Sequence, residues 1–143
     1  EYNVMKIRSK IILLFVLVLL LAAARNGAAL AKQALSIDIS RTATLVDGGQ
    51  AVEVNIKTVC AIEGVEVFEA FVYVTQNGNQ SQFAPISVSC SGSSKPQKSI
   101  ARVPALDFLF QKGDANASAY VLLVDPITGA DYSVSVGEAI RIR

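Results

Sequence analysis

The sequence contains no histidine and no tryptophan, and it has only two cysteines. Without histidine the chain lacks the usual general base, the commonest metal ligand and every Ser-His-Asp or Cys-His arrangement. Cys60 and Cys90 lie too far apart to make a zinc site, and no glycine-rich phosphate loop of standard spacing is present. The missing tryptophan removes the side chain best suited to stacking on sugar rings. These absences argue against an enzyme.

Paired carboxylates could act without histidine, and Glu63, Glu66 and Glu69 lie close together in the chain. Glu66 and Glu69 fall on opposite faces of one predicted strand, and Glu63 lies in the loop before it. A solvated charge cluster fits this arrangement better than the two facing carboxyl groups of a glycosidase. We therefore predict a protein without catalytic residues.

The longest apolar run lies near the start of the chain. Basic residues follow Met5, an uninterrupted apolar run spans 11–24, and small residues lead to Ala31. This is the layout of a secretory signal peptide. A helix of this length covers about 21 Å, less than the roughly 30 Å core of a membrane. We predict a hydrophobic signal helix in residues 1–31, the first four upstream of the start at Met5, with cleavage after Ala31. An uncleaved anchor, the only predicted membrane contact, is the alternative.

The predicted mature chain, 32–143, is one domain with little net charge. Removing four of the 13 basic residues and one of the 12 acidic residues leaves nine against eleven, a net charge of −2. Nucleic-acid binding depends on neutralising phosphates with Lys and Arg, so we expect no nucleic-acid partner. The length suits a single domain of ordinary size.

Apolar residues alternate with polar ones along the mature chain, and no stretch carries a helical stripe, so we expect an all-β fold. The clearest strand, 51–60, follows the turn sequence Asp47-Gly48-Gly49-Gln50. Short strands separated by turn residues favour a sandwich of about seven antiparallel strands. The predicted strands are 35–46, 51–60, 65–75, 83–90, 99–106, 117–125 and 132–142.

Cys60 and Cys90 are predicted to form a disulfide. An even number of cysteines in an exported chain favours a bridge, and both residues would end strands that finish at the same end of the fold. Two free buried thiols are the alternative. The disulfide predicts a secreted or periplasmic location.

Size, leader, seven strands and two cysteines together resemble secreted immunoglobulin-like domains. The stretch from Cys60 to Cys90, with Gln76-Asn77-Gly78 between them, is similar to small exported bacterial domains of uncharacterised function. The resemblance implies an immunoglobulin-like sandwich and no active site. Val88 stands where an antibody-type domain would carry its corner tyrosine, which separates the chain from that subgroup.

Two surfaces are candidates for binding. In the third predicted strand Phe68, Ala70, Val72 and Val74 form the core phase, yet the opposite phase is also mainly apolar. That phase would form a protein-binding surface if nothing in the domain covers it. Its members are Val67, Phe71 and Tyr73.

The second candidate is a calcium site in the loops at one end. Alternating strands would gather oxygen donors from the first, third and fifth connections, the kind of ligand that calcium takes. The same residues are also ordinary turn formers. The donors are Asp47, Asn77, Asn79 and Asp114, with Asn116 beside them. We expect a secreted or surface-associated domain that binds another protein through the Phe71 and Tyr73 face or through an edge strand. The terminal strand 132–142 could pair in this way, although Arg141 and Arg143 resemble protection against it. Calcium or small-ligand binding is the alternative, and we expect no other cofactor.

Overall fold

The computed structural model describes residues 34–143, and the predicted signal segment and its cleavage after Ala31 lie outside them. This part of the chain is all-β, as predicted. Its strands are β1 (Leu35–Val46), β2 (Ala51–Cys60), β3 (Glu66–Gln76), β4 (Asn79–Gln80), β5 (Ala84–Pro85), β6 (Ser93–Pro104), β7 (Gly113–Val124) and β8 (Asp131–Ile142). Among the described residues no helix is long and apolar enough to cross a membrane.

The strands form one curled, mixed sheet in the order β4-β3-β7-β8-β1-β2-β6, with β5 also paired to β3. Neighbours are antiparallel except β1 and β8, which run parallel. The curl brings the two ends of this order together, because the Gln82 N–H donates to the carbonyl of Pro104 at 3.0 Å. Side chains on the inner face of the curled sheet are therefore enclosed on several sides.

The core consists mainly of aliphatic side chains from the inward phase of each long strand. Val52, Val54, Val72, Val121 and Leu123 are completely buried. Their alternation with less buried neighbours is the period of two that a half-buried strand requires. The sequence pattern therefore identifies the core residues of β2, of β7 and of β3 from Val72 onward.

The strand β1 gains a second partner in its last part. Its first part, from Leu35 to Ile39, pairs antiparallel with β2, and the register shifts between Ile39 and Ala43. After this irregularity β1 keeps its ladder with β2 and also meets β8, through the pairs Thr42–Arg141 and Ala43–Ile142. One strand thus joins the β2–β6 half of the sheet to the β3–β7–β8 half.

The predicted disulfide is confirmed. Cys60 and Cys90 are bonded, with 4.7 Å between their Cα atoms. However, the predicted strand 83–90 is wrong beyond its start, because only Ala84–Pro85 pairs with β3. The Ile86 N–H still donates to the carbonyl of Ala70, at 3.1 Å, and beyond it the chain is held by the disulfide and by the Gln97 side chain, which bonds both the N–H and the carbonyl of Ser89. Side-chain and covalent contacts replace a backbone ladder here.

The strand β6 also differs from the prediction, because its pairing with β2 is irregular. The strand β6 begins at Ser93, six residues before its predicted start, and continues past Pro96. Its register with β2 shifts between Thr58 and Cys60, so Pro96 falls in the unpaired part of a bulge. Proline lacks an N–H, and it is tolerated there because no ladder bond is needed. The Ser-rich stretch is therefore strand, although its composition is typical of a loop.

Candidate binding surface

Four aromatic side chains form a cluster on the outer surface of β3 and β7, which we call the aromatic face: Phe71, Tyr73, Phe83 and Tyr120. The ring of Phe71 lies 4.9 Å from Phe83 and 5.6 Å from Tyr120, measured between centroids. Tyr73 meets Phe83 edge to face at 5.4 Å. Edge-to-face and tilted contacts at these distances are favourable for aromatic pairs. The four rings therefore support one another on the surface.

Strand phase explains why these residues share a face. Val72 and Val74 point into the core, so Phe71 and Tyr73 between them point outward. Phe71 is directly opposite Tyr120 in the ladder between β3 and β7, which places both rings on the same side of the sheet. Phe83 follows β4, and its ring packs back over β3 while remaining 59% exposed. The face is thus built on two regular strands and one connecting segment.

A shallow depression continues from the aromatic face onto β8, where Ser118, Ser135 and Gly137 complete its lining. Gly137 is opposite Ser118 in the ladder and has no side chain, so nothing rises beside Tyr73 in this direction. The depression gives an apolar surface with hydroxyl groups along one border.

The structure separates Val67 from the other two residues of the predicted surface. The register between β3 and β7 shifts between Val67 and Glu69, leaving Phe68 as the extra residue. Val67 is therefore opposite the buried Leu123 and on the phase opposite to Phe71, although at this end of β3 it remains 41% exposed. The same bulge turns Phe68 out to 71% exposure, which makes its prediction as a core residue wrong.

The outer surface of the other half of the sheet has a different character. Asp38 and Lys57 form an ion pair at 3.6 Å, and Lys98 is opposite Lys57 in the ladder between β2 and β6. Ile100 is the large apolar side chain on this surface, with 65% exposure. This half is predominantly charged and polar, so the aromatic face is a property of one half of the sheet.

The predicted calcium ligands are divided between separate contacts. Asp47 forms an ion pair with Arg102. Asn77 and Asp114 line a depression that also contains the cationic side chains of Arg41 and Arg141. Such neighbours disfavour a bound cation. Within residues 34–143 no group of three or more acidic or cysteine side chains is arranged as a metal site.

Asn79 lies exposed on β4, beside the turn Asn77-Gly78. That turn has positive φ at both residues, 52° and 80°, which is the conformation that Asn and Gly tolerate best. Ser81 closes the same hairpin from inside, because its hydroxyl accepts from the Val74 N–H at 2.9 Å. The turn chemistry alone accounts for these residues.

Two members of the aromatic face were missed by sequence reasoning. Tyr120 lies in the apolar run Ala119–Val124, which suggests a strand buried on both sides. The alternation of Ala119 and Val121 would have placed Tyr120 outward. The sequence predicts Phe83 as the first residue of a regular strand, 83–90, and contains no signal that its ring packs on β3.

Comparison with family models, with curated proteins and with solved structures found no match to this chain.

Proposed function

We propose that this chain is an exported, non-enzymatic binding domain whose aromatic face contacts another protein. The leader sequence supports export, and the disulfide between Cys60 and Cys90 is compatible with an oxidising compartment. A secreted or periplasmic location is therefore part of the proposal.

We also propose that the curled sheet is an immunoglobulin-like sandwich. The short parallel contact of β1 with β8 supports this classification, because it is the seam between a β1-β2-β6 group and a β3-β7-β8 group. Side chains from both groups fill the space between them. Two packed sheets with inward alternation are the architecture of such sandwiches.

The observation that carries the binding proposal is the aromatic face. Phe83 is 59% exposed although its ring packs on Phe71 and Tyr73. Aromatic side chains are enriched among the residues that contribute most to protein–protein affinity, and small polar groups commonly surround them. The serines of the adjoining depression supply such a border. A preformed ring cluster also loses little conformational entropy when a partner covers it.

A capture experiment with matched variants tests this function. The purified exported protein is immobilised and exposed to the native culture medium, in parallel with Phe83→Ser and Ile100→Ser. Ile100 is a suitable control because it is exposed to a similar degree on the polar half of the sheet. We expect a partner retained by the unmodified protein and by I100S, with affinity for F83S lower by about 30-fold, since an anchor residue contributes about 2 kcal/mol.

The proposal is contradicted if the unmodified protein retains no more material than an unrelated exported domain used as a blank, or if F83S and I100S retain the partner equally.

Calcium binding remains the alternative function. It is tested by thermal unfolding with calcium and with chelator, because a ligand that binds only the native state raises its stability. If the midpoint of thermal unfolding is the same with calcium and with chelator, the calcium hypothesis is wrong.

A further inference from the structure

The strand edges of this sheet differ in how they are protected against pairing with another chain. The outer edge of β6 contains Lys95, Pro96 and Pro104. It is also occupied by neighbouring groups, because Gln82 bonds Pro104 and the Gln97 side chain bonds Ser89. Lysine, proline and coverage by other segments are established means of blocking edge pairing.

The exposed start of β3 is protected in another way. Glu66 and Glu69 flank the bulged residue Phe68. A bulge interrupts the regular spacing of N–H and carbonyl groups, and the charged side chains oppose burial of this edge. Asp38 and the register shift after Ile39 have the same effect on the first part of β1.

Over residues 131–139 the strand β8 has neither a bulge nor, on the side away from β7, coverage by another strand of residues 34–143, and its only charged side chains, Asp131 and Glu138, lie near the two ends of the segment. Its ladder with β7 is unbroken from Val124–Asp131 to Gly113–Ile142, so the backbone is regular. On the other side of β8, the pairs with β1 within residues 34–143 begin only at Arg141. The segment contains no lysine, arginine, proline or bulge. Arg141 and Arg143, which resemble edge protection in the sequence, lie where β1 already covers the strand.

We propose that residues 131–139 of β8 pair antiparallel with the same residues of a second copy of this chain, about a two-fold axis at Ser135. The pairing edge adjoins the aromatic face, because Ser135 and Gly137 line the depression beside it, but the proposal depends on the backbone edge of β8 and not on the proposed function. The dimer would extend β3-β7-β8 into a continuous sheet across both copies.

The sequence of β8 is complementary to itself in this register. Val134 is opposite Val136 on the inward side, and Ser133 is opposite Gly137 on the outward side. Pairs of β-branched residues are favourable across an antiparallel ladder, whereas like charges directly opposite are not. The carboxylates avoid one another, because Glu138 is opposite Tyr132 and Asp131 is opposite Ala139. Charge and size therefore favour a second copy as the occupant.

Existing contacts leave this edge ready to pair. Glu138 is neutralised within its own copy by Arg41, at 3.0 Å. Tyr132, Val134 and Val136 pack on the core but remain only partly buried, so pairing would cover apolar surface. A ladder of this length is a small interface, and we expect a dissociation constant on the order of 10–100 μM.

Analytical ultracentrifugation of the exported protein tests the proposal with three variants. Ser135→Lys and Ser135→Glu change an exposed residue at the two-fold axis and bring two like charges together. Ser94→Lys, at an exposed position on β6, is the matched control. Equal thermal midpoints of all variants at low concentration verify that the fold is retained.

We expect the unmodified protein and S94K to dimerise, S135K and S135E each to dimerise at least about fivefold more weakly, and an equimolar mixture of the two to recover dimerisation. Recovery in the mixture is specific to a two-fold axis at residue 135. An unmodified protein that stays monomeric to about ten times the expected dissociation constant overturns the proposal. So does a dimer that the Ser135 substitutions leave unchanged, or a mixture that does not recover.

Discussion

Replacing Gln76 by methionine removes a two-way contact between a side-chain amide and the backbone. Gln76 ends β3 and is only 4% exposed. Its Nε2 donates to the carbonyl of Gln111 at 2.8 Å, and the Gln111 N–H donates to its Oε1 at 2.9 Å. Gln97 makes the same kind of contact with Ser89, but at an exposed site. The two glutamines therefore differ mainly in their access to water.

Burial determines the expected magnitude. In Q76M the N–H and carbonyl of Gln111 lose their partner at a site only partly open to water, which costs about 2 kcal/mol. In Q97M water can replace the amide, and we expect a loss of about 0.5 kcal/mol. Methionine has a similar length to glutamine and fills the same space. For a domain of this size the losses correspond to falls in Tm of about 8 °C and about 2 °C.

Thermal and urea unfolding of the oxidised protein measure both variants under the same conditions. The difference between Q76M and Q97M is the quantity of interest, because changes in the unfolded chain are similar for the two substitutions. Equal losses in the two variants would refute the reasoning, since they would show that burial does not control the strength of these bonds. A fall in the free energy of unfolding of Q76M by less than about 0.5 kcal/mol would also refute the reasoning.

Three further predictions concern the disulfide, a buried hydroxyl and a turn. The double replacement of Cys60 and Cys90 by alanine should lower the free energy of unfolding by roughly 3.6 kcal/mol, from the chain entropy of a 30-residue separation; a loss under about 1 kcal/mol in urea unfolding would contradict this. Thr58→Val should raise the free energy of unfolding by about 1 kcal/mol, because the hydroxyl of Thr58 is buried without a hydrogen-bond partner. A lower stability of this variant in urea unfolding would show that the hydroxyl has a partner. A hydrogen bond from the Thr128 side chain is the main cause that lowers the pKa of Asp125, and the backbone N–H groups of Ile127 and Thr128 add to it. The Asp125 carboxylate therefore stabilises the fold above the ordinary carboxyl pKa. This stabilisation is lost as the pH falls through the pKa of the folded state. An NMR titration should find this lowered pKa and its partial return in Thr128→Val, and an unchanged value in the variant would rule out the side-chain bond as the main cause.

The regular strands were predictable because one chemical pattern determines them. The structure reproduces the predicted ends of β1 and β2, and it extends the predicted strands that became β7 and β8 by a few residues. In each of them, small or aliphatic residues alternate with polar ones over many positions. Phe71 and Tyr73 were placed on the outer surface for the same reason. Alternation identifies a strand and its two faces without knowledge of its neighbours.

The irregular positions were not predictable from local pattern. The bulge at Phe68 reverses the phase of Val67, and nothing in the adjacent residues marks it. The segment after Pro85 alternates like a strand, yet the disulfide and Gln97 hold it instead of a ladder. Phe83 belongs to the aromatic face because the connection between β4 and β5 packs its ring on Phe71 and Tyr73. These features depend on which distant strand lies alongside, which a period of two does not specify.

The pairing of β1 with β8 also determines when the domain can complete its fold. The carbonyl of Arg143 accepts from Leu45, and its N–H donates to Ala43, so the two ends of the described chain are bound to each other. During synthesis, β1 emerges about a hundred residues before this partner does. Until then the two halves of the sheet cannot be joined at this seam, and long-range pairing of this kind forms slowly.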